Sequence, residues 1–222
     1  VWSDVACPWC YVGRRNLQVA LEDIDERERP EVTWRAYQLD PSIPIEGEEA
    51  ATYDERRFGA DLARIDTARQ QLVVLGEEVG IEFRFERQRM RPNTLLVHRL
   101  LAAAQSHGER EALMDACFAA YFTSGVDIGD PRALREIVTA QVGAALADEL
   151  IVAAIQDPAF VAQVAGDLET AQALGITGVP CFVADRRIAV PGAVPPPVLA
   201  QLIAEASMRV DTAIDTELDA EP

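Results

Sequence analysis

The stretch Val5-Ala6-Cys7-Pro8-Trp9-Cys10-Tyr11-Val12-Gly13 decides how the rest of the chain is read. Two cysteines with two residues between them can be a redox pair, half of a metal site or a short structural disulfide, and the spacing alone leaves all three open. Val1 to Ala6 reads as the end of a short strand, and the cysteine motif then opens a helix expected to run through Leu21. Pro8 suits the first turn of that helix, where its fixed φ helps and its missing N–H is not needed. A first thiol at such a junction meets unpaired N–H groups and the positive end of the helix dipole, both of which favour thiolate over thiol. The thiolate is the species that attacks a disulfide. Cys10, three residues on and on the same helical face, is placed to resolve a mixed disulfide. The expectation is an exposed, attacking Cys7 and a more buried Cys10.

The competing readings of the motif have less support. A zinc site wants four ligands, and Cys117, Cys181, His98 and His107 form no second pair at metal spacing, so no metal is expected. A disulfide across four residues closes too small a loop to constrain the unfolded chain much.

Composition narrows the function classes. The chain has 222 residues, 49% of them hydrophobic, which is enough for one large domain or one domain carrying an insertion. Its 37 acidic against 20 basic residues give a net charge of −17. That balance argues against a nucleic-acid surface and against an anionic membrane, both of which need clustered positive charge. All of the basic residues are arginine, to which we attach no mechanism. Four cysteines are too few and too unevenly spread for a disulfide-dense secreted scaffold. No apolar run suggests a signal peptide or a membrane span, so the expected compartment is the cytoplasm. Because the sequence opens within a predicted strand, what precedes Val1 is left open.

Beyond the first helix, Glu31 to Leu39 is rich in β-branched and aromatic residues and reads as a second strand, completing a strand–helix–strand unit. The period then changes. Tyr53 to Gly80 predicts one long helix or two short ones, and a helix start at Pro92-Asn93-Thr94 leads into Leu95–Ser106. Further helices are expected over Glu109–Phe122, Pro131–Val142, Ala147–Ile155 and Pro158–Leu174. From Gly175 the chain returns to strand patterning: a loop through Gly178-Val179-Pro180, a hairpin turning at Asp185-Arg186-Arg187, and a helix over Pro196–Met208. The partition is 1–45, an inserted helical segment 46–174, a closing segment 175–209, and an acidic tail 210–222. A proline just before a strand can be cis at modest cost, and a cis proline is a locked turn geometry.

These features together resemble a thioredoxin-fold protein of the DsbA-like group, and within it the FrnE branch. The motif Cys7-Pro8-Trp9-Cys10-Tyr11, with Ser3-Asp4 before it and Gly13 after, carries the resemblance most specifically. It continues through Leu39-Asp40-Pro41, Arg91-Pro92-Asn93-Thr94, His98-Arg99, Ala120-Tyr121-Phe122 and Gly175 to Pro180. The fold class implied is α/β, a thioredoxin fold with a large all-helical insertion between the second strand and the cis-Pro loop. The resemblance further implies that Pro180 is cis and lies against Cys7, and that the Val179 backbone pairs with an extended substrate. Pro8 and Trp9 would contact substrate and tune redox poise. The implied activity is thiol–disulfide exchange on a thiol- or disulfide-containing protein or small molecule. No cofactor is expected to be bound; glutathione or a dithiol reductant would serve as redox partner, and the chain would be a monomer or homodimer. A related branch resembles 2-hydroxychromene-2-carboxylate isomerases and kappa-class glutathione transferases. Those commonly carry serine at the position of Cys7, so two intact cysteines favour dithiol exchange over glutathione-dependent chemistry on a small hydrophobic substrate. A non-catalytic binding module is a third reading.

Three residues have two readings each. Asp4 either influences the cysteine protons or serves as a helix cap or solvated end. Cys181 departs from the resemblance, since the group usually carries an aromatic or aliphatic residue after the loop proline. It is a third thiol near Cys7 or, as we prefer, a small buried hydrophobe. His98 lines the groove or, preferentially, is a packed and hydrogen-bonded residue. Cys117, Trp34 and Tyr37 are expected in the core.

Overall fold

The computed structural model describes residues 1–218 and, within them, the side chains of all but 60, 62 and 208–218. Its centre is a four-stranded sheet in the order β2-β1-β5-β6. β1 (Trp2–Ser3) runs parallel to β2 (Arg35–Ala36) and antiparallel to β5 (Cys181–Ala184), which pairs with β6 (Ile188–Pro191). The parallel β1–β2 pair needs a crossover, and α1 (Pro8–Glu22) supplies it. The hairpin turns where Asp185 and Arg186 both take positive φ, 48° and 56°, as a primed turn requires.

The second strand is shorter than Glu31–Leu39. Arg35 N–H and Tyr37 N–H bond to Val1 and Ser3 carbonyls at 2.8 and 3.1 Å. On the other side of the strand, Ala36 N–H donates to the Asp167 carboxylate at 3.0 Å, and just past the strand Leu39 N–H donates at 2.8 Å to Asp4, the residue that follows β1. Side chains therefore take the donors that a longer ladder would have used, and the helix that carries Asp167, Pro158–Ala173, covers the sheet edge.

Between β2 and β5 the chain is helical apart from one small ladder, Glu48–Glu49 (β3) against Met90–Arg91 (β4), which the sequence pattern did not announce. The long helical pattern resolves into two helices, α2 (Ala50–Phe58) and α3 (Leu62–Glu78), separated at Gly59, whose φ is +46°. Then follow α4 (Leu95–Gln105), α5 (Arg110–Phe122), α6 (Pro131–Val142), α7 (Ala144–Gln156) and α8 (Pro158–Ala173). Helices α6 and α8 start alike, with Asp130 and Asp157 accepting from N–H groups two residues on and proline in the first turn. The last helix, α9, runs from Pro196 to Leu218, well beyond Met208 and into the acidic segment. Val210, Ile214 and Leu218 keep helical spacing there, and no glycine or proline interrupts it before Pro222. Residues 219–222 of the expected tail lie outside the described residues.

The insertion is seated on α1 by aromatic packing. Tyr11 of α1 stacks on Phe118 of α5 at 4.9 Å and meets Phe83 edge-on at 6.0 Å, while Phe122 joins both. Beside this cluster the buried Arg14 forms a two-pronged pair with Asp115, at 2.7 and 2.8 Å, and lies over the Trp34 ring at 5.2 Å. Arg14 also reaches Glu111 at 3.2 Å, so losing Asp115 leaves it one carboxylate partner, whereas losing Arg14 leaves both acids without their cation. This joint fixes the insertion over the cysteine motif.

Candidate active site

Cys7 is the N-cap of α1, and Pro8 occupies the first turn. The Cys7 carbonyl accepts from the Cys10 and Tyr11 N–H groups at 3.0 and 3.3 Å, which winds the chain straight into helix after the motif. On the facing side the Val179–Pro180 peptide is cis, and the Val179 carbonyl accepts from the Cys7 thiol at a sulfur–oxygen distance of 3.5 Å. Gly13 makes this approach possible: a Cβ there would meet the Pro180 ring at 2.8 Å and Phe182 at 3.3 Å.

Cys7 is not the exposed sulfur that the sequence suggested. It is 3% accessible and Cys10 1%, because the Val179 loop covers one side of the motif and the insertion the other. The two sulfurs differ in what they face. Cys7 lines a cavity of about 350 Å³ between α1 and the insertion, and Cys10 does not reach it. Burial first, and then the hydrogen bond and charge of Cys7, hold the Cys10 thiol well above its ordinary pKa. The Asp4 N–H, 3.5 Å from Cys10 Sγ, acts in the opposite direction. All four cysteines are free thiols.

Asp4 is neither a helix cap nor solvated. It is 2% accessible, and its carboxylate accepts from Ala6 N–H at 3.1 Å and Leu39 N–H at 2.8 Å. His98 on α4 is equally enclosed, with Nε2 3.5 Å from Asp4 Oδ1, so the two residues meet behind the motif. That separation is long for a hydrogen bond, and Nε2 has no other partner among the described residues, so His98 is packed without a hydrogen bond to them through this nitrogen. Trp9 stands at the cavity rim and is 37% accessible. Cys181 leaves the site altogether. Side chains alternate along β5, and Phe182 takes the face toward α1; Cys181 packs on the other face with Trp2 and Ala171. Burial raises its pKa.

The cavity also brings in residues that sequence reading did not select as site residues. Phe58, Ile65, Leu72, Phe85 and Phe122 wall it with apolar surface. Gln88, Arg91 and Thr94 add polar groups, and Arg91 is held by Asp54 at 2.8 and 3.1 Å. Asp54 also pairs with Arg69 of α3, so one carboxylate ties α2, α3 and β4 around the cavity. Arg91, Thr94 and Phe122 fall in stretches that carry the family resemblance, but only the tertiary fold joins these positions around one cavity. Among the described residues no group of three or more His, Cys, Asp or Glu is placed to hold a metal ion, and no helix is long and apolar enough to cross a membrane.

A cysteine pair at a helix N-terminus facing a cis-proline loop, on a β2-β1-β5-β6 sheet, defines a thioredoxin-like thiol protein. The chain belongs to the family described as "DSBA-like thioredoxin domain", whose pattern matches residues 1–204. Among solved structures it is similar to a "probable DsbA oxidoreductase" from Streptomyces coelicolor, with 32% identity, a TM-score of 0.80, and coverage of 92% of this chain and 87% of that one. It also shares its fold with the "cytosolic disulfide reductase DsbM" from Pseudomonas aeruginosa, described with GSH, at 19% identity, TM-score 0.60, and coverage of 96% and 97%. A 2-hydroxychromene-2-carboxylate isomerase matches at 16% identity and TM-score 0.55, over 98% of this chain and 97% of that one. A search of curated proteins returned no match.

Proposed function

We propose that this chain is a thiol–disulfide oxidoreductase or isomerase in which Cys7 is the nucleophile and Cys10 the resolving thiol. The observation that carries this reading is the asymmetry of the pair: Cys7 opens onto the cavity under the Val179 carbonyl, and Cys10 is sealed behind it. The Cys7 thiolate attacks one sulfur of a substrate disulfide, a Cys7–substrate disulfide forms, and the other substrate sulfur leaves as thiolate. Cys10 then attacks the Cys7 sulfur, releases the second substrate thiolate and closes the Cys7–Cys10 disulfide. Burial raises the Cys10 pKa, so Cys10 must give up its proton as it attacks, and the departing substrate thiolate can take that proton. Val179 and Pro180 hold an extended substrate against Cys7, and Pro8 and Trp9 contact it. Asp4 and His98, packed together behind the motif, modulate the cysteine protons.

The test is a pair of single variants. Cys7→Ser should abolish insulin reduction, and Cys10→Ser should accumulate mixed disulfides visible by mass spectrometry. Full activity of Cys7→Ser would sink the reading. The direction of flow is read from a redox titration of the pair against glutathione, because such sites span about 150 mV at the same spacing.

A second reading, a glutathione-dependent isomerase or transferase, draws support from the cavity beside Cys7 and from the fold shared with DsbM and with the isomerase. It requires glutathione affinity, measurable by calorimetry. We place the protein in the cytoplasm, with glutathione or a dithiol as its redox partner and no bound cofactor.

A further inference from the structure

Three residues that line the cavity beside Cys7 carry buried hydrogen-bonding atoms that no described protein group uses. Gln88 is 7% accessible and Thr94 2%, and both line the cavity. Among the described residues, Gln88 Nε2 and Thr94 Oγ1 have no partner, nor does Nε of Arg91. The Gln88 amide is oriented by its neighbour: Arg91 Nη1 donates to Gln88 Oε1 at 3.0 Å, so the unused end is the NH2 donor. Thr94 stands at the N-cap of α4, yet its hydroxyl does not cap the helix. Asn93 does this instead, accepting from Leu95 N–H at 3.1 Å. Arg91 is already committed through Nη1 and Nη2 to Gln88, Tyr121 and Asp54, which leaves Nε–H as its spare donor. Buried polar groups are almost always satisfied, so three unused ones on one wall are a feature that asks for an occupant.

We infer that this wall is a subsite for the acceptor group, carboxylate or carbonyl, of a small apolar disulfide or thiol whose sulfur reaches Cys7. The inference rests on the exchange reading given above and specifies its substrate. Donors exceed acceptors among the unused groups, so the occupant brings acceptors. The remaining walls are Phe58, Ile65, Leu72, Phe85 and Phe122, so its body is apolar or aromatic. About 350 Å³ suits a small molecule, and a protein substrate in extended form would instead lie along Val179. The chemistry balances without a further reagent. The reduced pair supplies two electrons, the substrate disulfide leaves as two thiols or thiolates, and the protein ends as the Cys7–Cys10 disulfide.

The experiment compares two aromatic disulfides of similar size in single-turnover reactions with the reduced chain: a dithiobis(nitrobenzoate), which carries carboxylates, and a bis(nitrophenyl) disulfide, which does not. Their rate ratio is measured in the wild type and in Gln88→Glu, which keeps the oxygen that Arg91 holds but replaces the donor with an acceptor. The protein's overall negative charge affects both chains alike and cancels in the comparison. The ratio should fall about tenfold or more in Gln88→Glu, and in the same direction in Thr94→Val, as expected for losing a hydrogen bond to a charged group. An unchanged ratio in both variants, including one where both rates fall together, overturns the subsite. A second arm removes the exchange chemistry. In the chain carrying both Cys7→Ser and Cys10→Ser, nitrobenzoate itself should bind by calorimetry, and adding Gln88→Glu should weaken it by a similar factor. Absence of binding there overturns the subsite even if exchange proceeds; binding there with no exchange in the wild type overturns the exchange reading and leaves the subsite standing.

Discussion

Cys7 and Cys117 are both nearly sealed, at 3% and 0% accessibility, yet their surroundings have opposite chemical meaning. Cys117 sits inside α5 among core side chains, and burial alone pushes its pKa up to about 12. Cys7 sits at the start of α1, with the Val179 carbonyl on one side and a cavity on the other. Accessibility does not separate the proposed nucleophile from a core thiol here. Position relative to a helix terminus and to empty space does.

The contrast is easiest to break at Cys7. Replacing it with serine should lower disulfide exchange on the order of a thousandfold or more, since a nucleophile is lost; the same change at Cys117 should leave the rate of correctly folded protein within a few fold. Alkylation gives the next largest difference. With iodoacetamide at neutral pH, Cys7 should be modified at least about a hundredfold faster than Cys117, read by peptide mass spectrometry. Comparable rates at the two positions would mean that the cavity does not admit reagent to Cys7.

Gly13→Ala sharpens the comparison from the other side of the motif. The added methyl would press on the Pro180 ring, so we expect a stability loss of about 1–3 kcal/mol in urea. Exchange activity should fall as well, because the Val179 carbonyl and Cys7 are displaced from each other. An alanine variant with wild-type stability would show that the loop yields without cost.

The smallest effect concerns pH. The pKa of Cys117 is raised from 9.0 in its ordinary state to about 12 in the folded chain. Above pH 9 the unfolded chain therefore releases a proton that the native one keeps, and stability falls as pH rises. At pH 10 this amounts to about 1.4 kcal/mol, so the stability gap between wild type and Cys117→Ala should narrow by about that much from pH 8 to pH 10. A gap that stays constant over that range would contradict the assigned burial.

Much of the fold was legible from local chemistry. The proline after Cys7, the helix starts at Pro131 and Pro158 and the periodic apolar positions of α4 to α8 each follow from neighbouring residues, and most helix positions agree to within a few residues. Two differences share a long-range cause. The second strand is short because Asp167, far along the chain, takes its edge donor, and Cys7 is covered because a loop some 170 residues later folds onto it. The third is local: the acidic residues after Met208 mask an apolar spacing that carries α9 on to Leu218.

The amino-acid sequence by itself determined that a cysteine pair opens a helix after a strand and that a Val-Pro step precedes a later strand. Those are statements about neighbours, and short-range sterics and capping decide them. Only the tertiary structure decided which sulfur faces a cavity, that Asp4 meets His98 behind the motif, that Cys181 turns to the opposite face, and that Gln88, Arg91 and Thr94 share a wall with unused donors. These depend on segments that are distant in sequence and brought together by burial of the aromatic cluster between α1 and α5, a term that no local window contains.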